Sequence, residues 1–203
     1  VEVAVPALGE VEVEPWLASW ADVAPAARPF AEETVEFAVA YGRALRSAPA
    51  VAQHPEVRAL AFWLREAPLR ELQAAFERDR APDVVCSPRG TVFHVPPGNV
   101  DTVFVYSWML AALAGNRNVV RLPTGSGDVV ELLAGVAADV LDEPRFAGVR
   151  ARTRLVRYGH DAEVTAACSA AADVRVLWGG DATVSSLRAV PLPAHATELT
   201  FPD

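Results

Sequence analysis

Short apolar runs and helical periods alternate through the second half of the chain. Val84 to Ser87 and Thr91 to Val95 predict strands joined by a tight Pro88-Arg89-Gly90 turn. Asn118 to Leu122, Arg154 to Tyr158 and Val174 to Trp178 predict three more, and Glu198 to Phe201 a last one. Between them, Asp101 is placed to cap a helix through Ala114, and Asp128 a helix from Val129 to about Leu141. Asp161 is placed to cap an Ala-rich helix to Ala172, and Asp181 starts a short helix to about Val190. Alternating strands and helices, with strands apolar on both sides, predict an α/β fold: a parallel sheet covered by helices on both faces.

The first 83 residues read differently. Val1, Val3 and Val5 alternate with Glu2 and Ala4 as in an edge strand, and Trp16 and Trp20 stand four apart, as on one helix face. Phe30, Phe37, Tyr41 and Leu45 recur at helical spacing. Pro55 sits where a first helical turn accepts it, ahead of Val57, Leu60, Trp63 and Leu64. Pro68 is expected to break that helix before another with Leu69, Leu72 and Phe76 on one face. The expected organisation is a mostly helical segment over 1–83 packed on a domain over 84–203.

Composition narrows the function classes. The chain has 203 residues and a formal charge of −8, which disfavours a polyanionic partner such as nucleic acid. Val103 to Gly115 is the longest apolar stretch and is too short for a membrane span. The start shows no basic segment followed by a long apolar core, so the reading is a cytoplasmic protein. All eighteen fixed side-chain cations are arginines, so any ionic contact to a phosphate must come from Arg. Cys86 and Cys168 are isolated and the four histidines are scattered, which argues against a metal site or a disulfide scaffold.

In a parallel sheet, ligands bind beyond the carboxyl ends of the strands. Four loops therefore carry the candidate chemistry: 96–99, 123–128, 159–161 and 179–181. Gly179-Gly180 ahead of a helix is either a bare turn capped by Asp181 or a backbone cradle whose helix-start amides suit a pyrophosphate. Asp181 would put a negative charge near that phosphate. Gly125-Ser126-Gly127 matches a dinucleotide fingerprint poorly, because Val130 stands in its last place. Arg121, at a strand end, either reaches a ligand or is an ordinary surface arginine. Asn99 after Pro96-Pro97-Gly98 either shapes the turn or offers an amide to an oxyanion. His94 reads as a satisfied core histidine; His160, in a loop, lies nearer a ligand. Cys168 and Cys86 read as inert, the first in a helix and the second in a strand. Arginines 145, 150, 152, 154 and 157 form either a solvated face or a site for an anionic carrier.

Several blocks in order resemble the LuxC-type acyl-CoA reductases, the fatty-acid reductases of the aldehyde dehydrogenase superfamily. They are Gly90-Thr91-Val92-Phe93-His94-Val95-Pro96-Pro97-Gly98-Asn99-Val100, Phe104-Val105-Tyr106-Ser107-Trp108 and Leu113-Ala114-Gly115-Asn116-Arg117-Asn118-Val119-Val120-Arg121. Tyr158-Gly159-His160-Asp161, Trp178-Gly179-Gly180-Asp181-Ala182-Thr183 and Leu199-Thr200-Phe201-Pro202-Asp203 continue the match. The resemblance is dense from about 85 to 203 and looser before that.

That resemblance implies a Rossmann-like sheet of aldehyde dehydrogenase type and NADPH-dependent reduction of an acyl thioester, on CoA or an acyl carrier, to an aldehyde. It gives Asn99 the role of oxyanion amide. Arg121 takes the place of the superfamily's usual lysine beside the adenosine ribose, and an arginine there favours a 2′-phosphate. Gly179 and Gly180 would take the pyrophosphate, with Asp181 and Thr183 beside them. Pro97, Gly98, Pro123, Gly159 and His160 complete the expected cofactor contacts. Thr124 stands where NAD-preferring relatives often carry an acid, so one repulsion against a 2′-phosphate is missing. The family's nucleophilic cysteine lies beyond residue 203, so the chain is expected to be a truncated cofactor-binding part, inactive alone. An acyl-transferring or ligase partner subunit and a homo-oligomer fit this reading. Two rivals stand beside it: a short module that binds a nucleotide or pairs with another subunit, and another superfamily member such as a dehydrogenase of phosphorylated substrates.

Overall fold

A computed structural model describes residues 1–23, 26–81, 83–123 and 127–202. The strands are β1 Glu2–Val5, β2 Gly9–Glu10, β3 Thr91–Val95, β4 Arg117–Arg121, β5 Thr153–Arg157, β6 Val174–Gly179 and β7 Thr197–Pro202. The helices are α1 Val13–Val23, α2 Glu32–Ser47, α3 Pro55–Trp63, α4 Glu66–Arg78, α5 Val103–Leu113, α6 Asp128–Leu141, α7 Ala147–Ala151, α8 Ala162–Ala170 and α9 Asp181–Arg188. The fold is α/β, as the alternation predicts, and Rossmann-like, as the resemblance implies.

The strands form one sheet in the order β2-β1-β5-β4-β3-β6-β7. From β5 to β7 every neighbouring pair is parallel, while β1 runs antiparallel to both β2 and β5. The chain steps outward from β3 to β4 and β5, then returns to the other side of β3 for β6 and β7. That reversal opens a crevice beyond the tips of β3 and β6. One face is covered by a core that joins α2, α3, α5 and α6, with Phe37, Tyr41 and Trp108 at its centre. The opposite face packs Phe93, Val119, Val156 and Leu177 against Trp20 of α1, Cys168 of α8 and Val184 of α9.

Several local expectations are corrected. β1 is not the edge strand, because β2 pairs outside it. Its register also shifts between Val3 and Val5, so Val3 pairs with Val156 while Val5 pairs with Leu155. The irregularity turns the two valines into cores on opposite faces of the sheet. Val84 to Ser87 forms no strand, and Val85 is 90% exposed. A hairpin partner would have to lie beside β3, and both of its sides are occupied by β4 and β6. Pro68 lies within the first turn of α4, where a missing N–H costs nothing; the break falls earlier, at Leu64 and Arg65. Asp101 does not cap α5, whose cap position is Thr102. Asp128 is the first helical residue of α6 rather than its cap. Asp161 does cap α8, accepting from the amides of Glu163 and Val164 at 2.9 and 3.1 Å. Among the described residues, no helix is long and apolar enough to cross a membrane.

Candidate functional site

A cavity of about 420 Å³ lies at the carboxyl tips of the parallel strands. Pro97, Gly98 and Asn99 enter it after β3, Arg121 and Pro123 at and after β4, and His160 after β5. Gly179, Gly180 and Thr183 enter it from the turn into α9. Nine of the residues singled out in the sequence thus meet in one place, although they come from four strand ends. Gly159 and Asp181 are not among the lining residues, and Thr124 lies outside the described residues, with Gly125 and Ser126. Val95, Pro96, Leu122 and Trp178 also line the cavity and were not singled out. Pro96 lies within a loop already chosen and the other three flank one, so the strand end itself was the missed signal.

Of the two glycines in the turn from β6 into α9, the backbone requires the first and leaves room at the second. Gly179 has φ +135°, a region that side chains with a Cβ rarely adopt. Gly180 has an ordinary φ of −59°, but a Cβ there would stand in open space. The amides of Thr183 and Val184 both bond back to the Gly180 carbonyl, at 2.9 and 3.1 Å. The amides of Asp181 and Ala182 precede these bonds, so they are first-turn donors with no partner within the helix. They and the positive end of the helix dipole create a place for an anion.

Arg121 approaches the cavity from β4. Its guanidinium lies over the ring of Tyr158, and its Nη2 donates to the Gly159 carbonyl at 3.0 Å. Gly159 therefore acts on the cavity through Arg121. The Nε of Arg121 is buried without a hydrogen-bond partner. Asn99 is exposed at the cavity rim, on the loop that leads into α5.

His94 is a core histidine, as expected. It is fully buried, with Nδ1 2.7 Å from Ser107 Oγ and Nε2 3.1 Å from Asn118 Oδ1. Burial pulls its pKa down to about 4, against a smaller opposing effect of the Asn118 hydrogen bond. Trp178 Nε1 donates to the same Ser107 oxygen at 3.2 Å. An accepting Asn118 oxygen and a neutral ring place the proton on Nε2, so Ser107 donates to Nδ1.

Neither cysteine lines the cavity. Cys168 is buried in α8, where burial pushes its thiol up to about 12. Cys86 is half-buried in the irregular segment before β3 rather than in a strand. The arginines of 145–157 mostly have carboxylates of their own: Arg145 with Glu143, Arg150 with Asp142, Arg152 with Glu33 and Arg157 with Glu131. Arg154 lies over the Trp20 ring instead, 5.0 Å from its centroid. Among the described residues, no cluster of side chains is arranged to hold a metal ion.

A family model described as acyl-CoA reductase (LuxC) matches residues 65–202. No curated protein sequence gives a significant match. Among solved structures, the chain is similar to a protein of Burkholderia cenocepacia assigned as an aldehyde dehydrogenase, with 21% identity and a TM-score of 0.64 over 94% of this chain and 44% of that one. It is similar to Proline Utilization A from Corynebacterium freiburgense, with 18% identity and a TM-score of 0.65 over 95% and 20% of the two chains. A third likeness is to the glyceraldehyde-3-phosphate dehydrogenase GapN from Methanocaldococcus jannaschii, complexed with NADP, at 11% identity and a TM-score of 0.62 over 99% and 49%. At these identities the likeness establishes the fold. The chain spans less than half the length of each of these structures.

Proposed function

Because the chain belongs to the LuxC family of acyl-CoA reductases, we propose that its cavity holds NADPH for the reduction of an acyl thioester, on CoA or an acyl carrier, to an aldehyde. The observation that carries this reading is the meeting of Arg121, the Gly179-Gly180 turn and Asn99 around one cavity. Arg121 and that turn come from β4 and β6, on either side of β3.

The residues present fit a dinucleotide. Gly98 and Gly180 leave open space where a Cβ would stand, so the ligand backbone can approach closely. The amides of Asp181 and Ala182 face the pyrophosphate in this reading. The Asp181 side chain stands outside the cavity lining, so its charge does not occupy the phosphate's place. Arg121 lines the cavity and spends Nη2 on Gly159, and its planar fork carries further N–H groups suited to a 2′-phosphate.

When bound, the cofactor supplies the hydride that brings the acyl group to the aldehyde level. Asn99 donates its amide N–H to the oxyanion that develops as a thiolate adds to the thioester carbonyl, before that oxyanion collapses and the carrier's C–S bond breaks to release its thiol. That thiolate is neither Cys86 nor Cys168, which both lie away from the cavity.

The test is to incubate the full-length gene product with NADPH and a fatty acyl-CoA, following the absorbance of the reduced nicotinamide and trapping the aldehyde. Acyl-CoA-dependent oxidation with matching aldehyde is expected. Oxidation with an acyl phosphate and none with acyl-CoA would transfer the chain's chemistry to phosphorylated substrates.

A further inference from the structure

Trp178 ends β6 on the face of the sheet opposite to Arg121. Val174, Val176 and Trp178 share a side and pack with Ala111 of α5. Arg121 rests on Tyr158, which belongs to the core beneath α8 and α9. Both residues nevertheless line the same cavity, so that cavity crosses the tip of the sheet from one face to the other. The loop that carries Asn99 runs from β3 into α5, on the Trp178 side.

Trp178 is held on two sides. Its ring stacks on Phe201 with centroids 4.0 Å apart and planes 15° apart. Its Nε1 donates to Ser107 Oγ, which is anchored in turn by the fully buried His94.

On the reading of the cavity as an NADPH site, we propose that Trp178 is the wall for the nicotinamide end of the dinucleotide, with Ser107 as the residue that positions it. A ligand gripped at its adenosine phosphate by Arg121 and at its pyrophosphate by α9 has its remaining end directed across the sheet tip. The ring that gives up hydride must lie beside the amide that stabilises the oxyanion, and the loop of Asn99 leads into α5, which packs on the side of Trp178. A fixed indole then limits how that ring can tilt.

The experiment compares the affinities of NADPH and of adenosine 2′,5′-bisphosphate, which lacks the nicotinamide end, for the unaltered protein and its Trp178→Leu, Ser107→Ala and Ser107→Thr variants. Trp178→Leu and Ser107→Ala are expected to weaken NADPH about three- to tenfold and to leave the bisphosphate unchanged. Ser107→Thr, which keeps the hydroxyl, restores NADPH affinity. Parallel loss of both ligands, or unchanged NADPH affinity in Trp178→Leu, overturns the wall while the nucleotide site stands. Failure of the unaltered protein to bind either ligand overturns the site itself, and the wall with it.

Discussion

The guanidinium of Arg121 lies 4.7 Å from the centroid of the Tyr158 ring. Arg121 ends β4 and pairs with Val156 of β5, and Tyr158, two residues further on, presents its ring on the same face of the sheet. The ring is 8% exposed, and burial raises the pKa of its phenol, which keeps it a neutral platform. A cation on an aromatic face gains about 0.5–2 kcal/mol, enough to hold the fork in one plane before a ligand arrives.

Arg121→Ala is expected to weaken NADPH by about 1–3 kcal/mol and NADH by less, because a charge-assisted contact to the 2′-phosphate is lost. Tyr158→Leu should produce a smaller loss of the same selectivity. Titration of both cofactors checks this; equal weakening of NADPH and NADH by Arg121→Ala would remove Arg121 from that role.

In the full-length enzyme, Asn99→Ala is expected to lower kcat by roughly a hundredfold or more while leaving NADPH affinity near its original value. Steady-state rates with acyl-CoA, alongside a cofactor titration, separate the two effects. An unchanged kcat would reduce Asn99 to a turn residue.

The two glycines at the start of α9 should respond differently to the same substitution. Gly179→Ala imposes a side chain at φ +135° and is expected to cost about 1–3 kcal/mol of stability. Gly180→Ala meets no atom within 4 Å. Its stability should stay within about 0.5 kcal/mol. Its NADPH affinity should nevertheless fall roughly tenfold, since the methyl group intrudes on the ligand's approach. Denaturation midpoints and cofactor titrations test the pair together, and full NADPH affinity in Gly180→Ala would contradict the cradle.

His94 makes stability depend on pH. Burial depresses its folded pKa to about 4, below the ordinary imidazole value of 6.5. Between those values the unfolded chain binds the proton and the folded chain does not, so its contribution is complete above pH 6.5 and is lost as pH falls toward 4. The full loss is about 3 kcal/mol. Denaturation curves taken across that range should show a shallower decline in His94→Gln than in the unaltered protein. Identical slopes would mean that His94 is protonated in the folded state.

Most of the site was legible before the fold because its signals are local. A strand run followed by Pro-Pro-Gly-Asn or Gly-Gly-Asp announces a strand tip and a turn, whichever strands lie beside it. Asp161 is a cap for the same reason, since its partners are two and three residues away. Trp178 escaped notice because its importance comes from Ser107 and Phe201, which are distant in sequence.

Local periodicity determined the strands and, α7 apart, the helices from β3 to β7, and the loop residues marked the strand ends that line the cavity. Only tertiary pairing decided which side of the sheet each strand occupies, and therefore that Arg121 and Gly180 share a cavity. It also denied Val84 and Val85 a strand, because β3 has no free edge, and divided Val3 and Val5 between two cores. Arg175 is the clearest case: a charge inside an apolar strand, 1% exposed, made tolerable by register with Glu198 of β7 and by bonds to Ser169 and Val190. Burial of such a group depends on partners brought together by the sheet, and no pattern within β6 alone contains them.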